Sequence, residues 1–236
     1  MAKDKRMKIQ IKEGLIAGFP LIIGYFPVAM AFGLLSKNTG ISFKDTSLFS
    51  IMVYAGASQF MALNLILANV SMGSIILATF LLNLRHMIMS ASLSLRLKDM
   101  KWKWLSIISF GITDEFFSVI SFSEGKIELP FILSLQISTY CSWVLGTMVG
   151  HLIGEVLPKS VQVSLGIGLY AMFMSLLVPE IKKSRDILYL ALISVVIYII
   201  IFYLKIFNSG WDIILGIILS SVLGVLIFDT DTKEVE

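Results

Sequence analysis

Eight apolar stretches, too long and unbroken for anything but membrane helices, constrain this chain most. They run roughly 14–36, 48–68, 73–95, 104–122, 130–153, 160–178, 187–204 and 211–228. About 20 apolar residues cross a bilayer as a helix. A barrel strand needs about 10 with strict alternation, which these runs lack. Only 15% of the 236 residues are charged, whereas soluble domains average about 25%. The expected fold is therefore an all-α polytopic membrane protein, a single membrane domain with no separate soluble part. Trp102, Trp104 and Trp211 fall at segment ends, where interfacial aromatics belong. The net charge of +3 is small and the basic residues gather in particular loops. They report orientation in the bilayer and give no reason to expect a nucleic-acid partner.

The N-terminal arm carries Lys3, Lys5, Arg6, Lys8 and Lys12 ahead of an apolar run. That run is too long for a signal-peptide core of about 7–15 residues, so it is expected to be the first membrane segment. Cys141 is the one cysteine, lies in an apolar run and is expected to be a packing residue.

The costliest residues lie in the third stretch, in LLNLRHMIMS (81–90). Asn83, Arg85 and His86 would sit near the midplane, where a cation costs at least about 2.5–3.5 kcal/mol and normally has a partner and a polar surface to face. The fourth stretch supplies candidates, Asp114 and Glu115. Read as one helix, these carboxylates point about 100° apart, so one can meet Arg85 while the other faces elsewhere. Such a pair either fixes helix packing or forms a substrate or proton site.

Two other stretches show signs of broken helix. The first holds Pro20, Gly24, Pro27 and Gly33, and its Gly24-Tyr25-Phe26-Pro27 reads as a kink or a short unwound piece. The second holds Tyr54-Ala55-Gly56-Ala57-Ser58-Gln59-Phe60, then Asn64. Its small residues suit either close helix packing or a break that exposes backbone groups to a cavity. In the fifth stretch Gln136, Ser138, Thr139 and Tyr140 read as interhelical hydrogen-bonding groups, and His151 as interfacial. The seventh is featureless and expected to face lipid or pack.

Basic residues favour the cytoplasm. The arm has five, loop 96–103 four and loop 179–186 three. All three lie on one side if stretches two and six cross only partly. That gives six full crossings, two broken or re-entrant segments and both termini cytoplasmic. Halves 14–122 and 130–228 would then be inverted repeats, a common transporter plan. VYAGASQFMALNLI in stretch two is weakly echoed by LYAMFMSLLVP in stretch six.

Four runs occur in order: YFPVAMAFGLLSKNTG (25–40), VYAGASQFMALNL (53–65), LLNLRHMIMSASL (81–93) and GITDEFF (111–117). Together they resemble the AzlC family, the large subunits of bacterial branched-chain amino acid exporters. The resemblance implies export of branched-chain or similar apolar amino acids across the bacterial cytoplasmic membrane, and a small AzlD-like membrane subunit as partner. No cofactor is expected. The chain has no GxxxxGK[ST] motif, so coupling to an ion or proton gradient is the expected drive.

The expected substrate groups are Tyr25, Pro27, Tyr54, Gly56, Ser58, Gln59, Phe60, Asn64, Asn83 and Arg85, with His86, Asp114 and Glu115 for proton or ion coupling. Arg85 would take the substrate carboxylate and Asp114 or Glu115 its ammonium. A scaffold subunit without transport is the alternative from another class. An intramembrane enzyme using His86 and Glu115 is weaker, because the chain has two histidines and no HExxH or GxSxG pattern.

Overall fold

The computed structural model describes residues 2–123, 127–204 and 211–227. Every described secondary-structure element is helical. The helices are α1 (Ala2–Asn38), α2 (Phe43–Val53), α3 (Gly56–Leu67), α4 (Met72–Arg96), α5 (Trp102–Phe110), α6 (Asp114–Phe122), α7 (Leu129–Ile153), α8 (Lys159–Lys183), α9 (Arg185–Leu204) and α10 (Trp211–Ile227). A 3-10 turn, Gly154–Val156, follows α7. Among the described residues, Asp4–Asn38, Met72–Arg96, Leu129–Val156 and Arg185–Leu204 are long and apolar enough to cross a bilayer.

The chain divides into two compact units, one of Met1–Leu63 with Leu82–Leu169 and one of Asn64–Leu81 with Tyr170–Glu236. The first is built on α1 and α7, which run parallel along a seam of glycines. Gly14 meets Phe131 and Ser134, Gly146 meets Phe26 and Ala29, Gly33 meets Thr147 and His151, and Gly150 meets Met30. Lipid tails are as apolar as leucine, so membrane helices associate through close backbone approach, which small residues allow.

Two pairs of short helices fold back beside this seam. Gly40, at φ +79°, turns the chain after α1, and Ser42 caps α2 by accepting from the Asp45 amide. α2 then runs antiparallel to α7: Phe43 lies edge-on to His151, and Ser50 bonds Thr147 at 2.8 Å. At Tyr54, left-handed at φ 44°, the helix stops, and α3 starts two residues later. The Gln59 amide reaches back to Ser50 Oγ at 3.0 Å. Phe32 of α1 meets Phe49 of α2 and Phe60 of α3 edge-on. Both arms thus lie at one level of α1, so α2 and the start of α3 form a hairpin beside the C-terminal half of α1.

α5 and α6 form the second hairpin, entering from the opposite end. The end of α4, the start of α5, Arg6 of α1 and Glu128 before α7 line one cavity of about 660 Å³. Arg96, which closes α4, reaches the carbonyls of Ser121 and Ser123 at the end of α6. Leu93, Leu97, Ile108, Ile112, Phe116, Ile120, Ile132 and Leu135 form the apolar core that holds this hairpin against α4 and α7.

Three expectations are corrected. Stretch four is two helices split at Gly111-Ile112-Thr113, so α5 runs antiparallel to α4 and α6 returns parallel to it. Thr113 caps α6 by accepting from the Phe116 amide, and a Thr followed by two acids is a helix start. Stretch six is continuous helix in α8 and holds no break. Of the two readings of 24–27, kink or unwound piece, only the unwound one is ruled out, since α1 passes helically through Pro20 and Pro27. Ser142 of α7 donates to the Ile22 carbonyl at 2.9 Å, one residue before the Ile23 carbonyl whose usual donor Pro27 lacks.

In the second unit α9 packs on α10, with Gly224 against Leu190 and Gly216 against Tyr198. No residue in the apolar window of α9 is buried, as expected of a lipid-facing helix. The tail from 228 onward lies outside the described residues.

Candidate functional site

The tips of the two hairpins meet midway along α1 and α7. The Tyr54 ring stacks near Phe110 with centroids 6.4 Å apart, and the Tyr54 hydroxyl donates to Thr139 Oγ1 at 3.3 Å. α4 passes both tips. The Asn83 amide donates to Ser58 Oγ in the first turn of α3 at 3.1 Å. Arg85 Nη1 pairs with Asp114 Oδ2 in the first turn of α6 at 3.0 Å. The two carboxylates divide as the sequence allows. Asp114 meets Arg85, while Glu115 Oε2 accepts from the buried Tyr25 hydroxyl at 2.7 Å. That hydroxyl also lies 2.6 Å from Thr113 Oγ1, so Tyr25 ties α1 to the second tip.

Two helix N-termini, of α3 and α6, therefore open at the same depth. Each presents a positive dipole end, the ordinary receptor for an anionic group, and in α6 the Phe116 amide is already taken by Thr113. The Arg85–Asp114 pair is reachable, with side chains 34% and 26% exposed. Arg85 Nε and Asn83 Oδ1 are buried atoms without a hydrogen-bond partner among the described residues. One is an acceptor beside the α3 tip and one a donor beside the α6 tip, two residues apart on α4.

Other expected residues have different surroundings. Gln59 is fully buried, donating to Ser50 and accepting from Trp143 Nε1 at 3.1 Å. Gly56 lies where a side chain would strike the Trp143 ring. Phe60 is buried against Phe32. His86 is half-buried beside Arg85, and Pro27 is exposed on α1. Asn64 is exposed and belongs to the second unit. His151, expected at an interface, is buried with Nε2 3.0 Å from the Ile41 carbonyl oxygen.

Trp143 was not legible as a partner, because an indole in an apolar run carries no spacing signal. Gln59→Leu would strand its N–H, and a stranded buried donor costs about 1–3 kcal/mol. We expect a lower melting temperature for Gln59→Leu in detergent, with a smaller loss when Trp143→Phe is already present. Additive losses would show that the two side chains do not interact.

The fold and site define a helical membrane protein in which the tips of two hairpins meet beside a charged cluster. The profile of AzlC protein matches residues 20–157. The chain belongs to the AzlC family. A protein of Archaeoglobus fulgidus described as an uncharacterized membrane protein is 37% identical over 173 residues, covering 72% of this chain and 76% of that protein. Inner membrane protein YgaZ of Escherichia coli is 30% identical, covering 74% of each chain. The branched-chain amino acid transport protein AzlC of Bacillus subtilis is 23% identical, covering 70% of this chain and 66% of that protein. No solved structure matches. The matched residues span both hairpins and α7, and so contain the whole charged cluster.

Proposed function

We propose that this protein exports branched-chain or similar apolar amino acids as a gradient-driven secondary transporter, working with a small AzlD-like subunit in the bacterial cytoplasmic membrane. The observation that carries this reading is the convergence of two half-helix N-termini with an accessible Arg85–Asp114 pair at mid-depth. Transporters of this general plan bind substrate where broken helices meet. A zwitterion can replace the internal pair, its carboxylate on Arg85 and the α6 amides, its ammonium on Asp114 or Glu115. Phe26, partly exposed, can supply apolar surface for the side chain, with Asn83 nearby; Tyr54, Phe60 and Ser58 are themselves buried. This arrangement uses the ionised groups for recognition; catalysis is not required of them.

Topology fits the same reading. Arg6 and loop residues Arg96 and Lys101 line one cavity, so the basic arm and the 96–103 loop share an end of the first unit. With α2–α3 and α5–α6 as the two partial segments, α1, α4, α7, α8, α9 and α10 are six full crossings. Loop 179–186 and both termini then fall on the cytoplasmic side with the other basic segments. With the break in stretch four instead of stretch six, the repeat we infer is shorter than halves 14–122 and 130–228: 2–67 and 72–122 are each a long helix followed by two short ones.

Counterflow of labelled leucine into vesicles, with and without the small subunit and across a range of pH, tests the reading. We expect uptake against a leucine-loaded interior that depends on pH or on Na⁺. Absence of flux with both subunits present would favour a scaffold role.

A further inference from the structure

We propose that the C-terminal end of α5, with the side-chain oxygen of Gln136, forms a binding site for a monovalent cation. Gln136 lies on α7 with only 6% of its surface exposed. Its amide nitrogen donates to the Ile107 carbonyl oxygen at 2.8 Å. A carbonyl can only accept, so this bond fixes which end of the carboxamide is which. The other end, Oε1, is a buried acceptor with no partner among the described residues. Gly111 makes the approach possible, because any side chain there would overlap the carboxamide. The head group therefore rests on the hairpin tip itself.

The field at that tip favours positive charge. The last carbonyls of α5 form the negative end of its dipole. Asp114 and Glu115 follow within four residues of Phe110–Gly111, and one cation, Arg85, answers them. Glu115 meets the Tyr25 hydroxyl and, among the described residues, forms no ion pair. The tip thus carries two carboxylates against one guanidinium, together with an unused oxygen. Oxygen ligands from a half-helix C-terminus and a side-chain carbonyl are what Na⁺ or an ammonium group takes at a broken helix. The two sources are a free Na⁺ and the ammonium of the substrate. Only the second rests on the transport reading.

The test uses the full chain in lipid nanodiscs. Saturable ²²Na⁺ binding is measured at constant ionic strength with choline as the replacing ion. In parallel, thermal stabilisation by leucine is compared with that by 4-methylpentanoate, which lacks the ammonium. For a Na⁺ site, Gln136→Leu weakens ²²Na⁺ binding by about tenfold, the loss of one charge–dipole ligand, and Gln136→Glu retains it. For an ammonium site, ²²Na⁺ does not bind, and the preference for leucine over 4-methylpentanoate falls by a similar factor in Gln136→Leu and survives in Gln136→Glu. Gln136→Met, nearly isosteric, serves if the leucine variant does not fold. Indifference of both ligands to Gln136, with leucine counterflow intact, overturns the proposal and leaves Oε1 to a structural water. Loss of counterflow alone, with Gln136-dependent ²²Na⁺ binding intact, counts against the transport reading and supports this one.

Discussion

We expect Arg85→Ala to abolish leucine counterflow while the protein still reaches the membrane at normal level. The guanidinium is the one cation that contacts the hairpin tips among the described ion pairs, and its loss leaves Asp114 and Glu115 unanswered at mid-depth. A charge-assisted hydrogen bond is worth about 1.5–3 kcal/mol, hence about 10- to 100-fold in substrate affinity, before any effect on coupling. Asp114→Asn is expected to fall similarly, because it frees Arg85 from its partner without changing shape. Lysine at position 85 keeps the charge and loses the planar fork, so Arg85→Lys should bind substrate weakly and still transport. Wild-type flux in both Arg85→Ala and Asp114→Asn would mean the pair only fastens helices. Quantitative blotting of membranes separates lost transport from lost protein.

The largest effect on stability should come from the α1–α7 seam. A Cβ on Gly150 would lie 2.5 Å from Met30 Cα and would overlap the Met30 carbonyl oxygen. One on Gly33 would overlap the Thr147 carbonyl oxygen and stand 2.7 Å from His151 N. Both obstacles are backbone, which cannot rotate away. Overpacking typically costs about 1–3 kcal/mol where side chains can adjust, and the upper end of that range or beyond is expected here for Gly33→Ala or Gly150→Ala. Gly24, on the same α1, has nothing within 4 Å of its Cβ position. Gly24→Ala should be neutral, or stabilising by up to about 1 kcal/mol from helix propensity. Thermal melts by fluorescence-detected size exclusion decide the matter. Three equal melting temperatures would show that the seam is not as close as described.

The helical class and the ion pair were legible because hydrocarbon makes both expensive to get wrong. A long apolar run has few fates, and Arg85 needed a carboxylate within reach. The break at Tyr54 was legible from Ala55-Gly56-Ala57, where small residues interrupt a run of large ones. The break before Asp114 was written as Thr113 with two acids, a capping pattern hidden because hydropathy runs straight through it. Stretch six misled in the other direction. Its small residues resemble those of stretch two, yet α8 continues through them, since glycine and serine weaken a helix in water more than in oil, where the backbone has no other partner. Which side of each hairpin the chain returns to depends on contacts such as Ser50 with Gln59 and Arg96 with the α6 carbonyls. Those contacts are set by tertiary packing and leave no local pattern.

Backbone touching backbone along α1 and α7 leaves no slack for one helix to slide or roll past the other. The two must behave as a single rigid post. Any opening and closing of the first unit then falls to the folded-back pairs, which enter from opposite ends of that post.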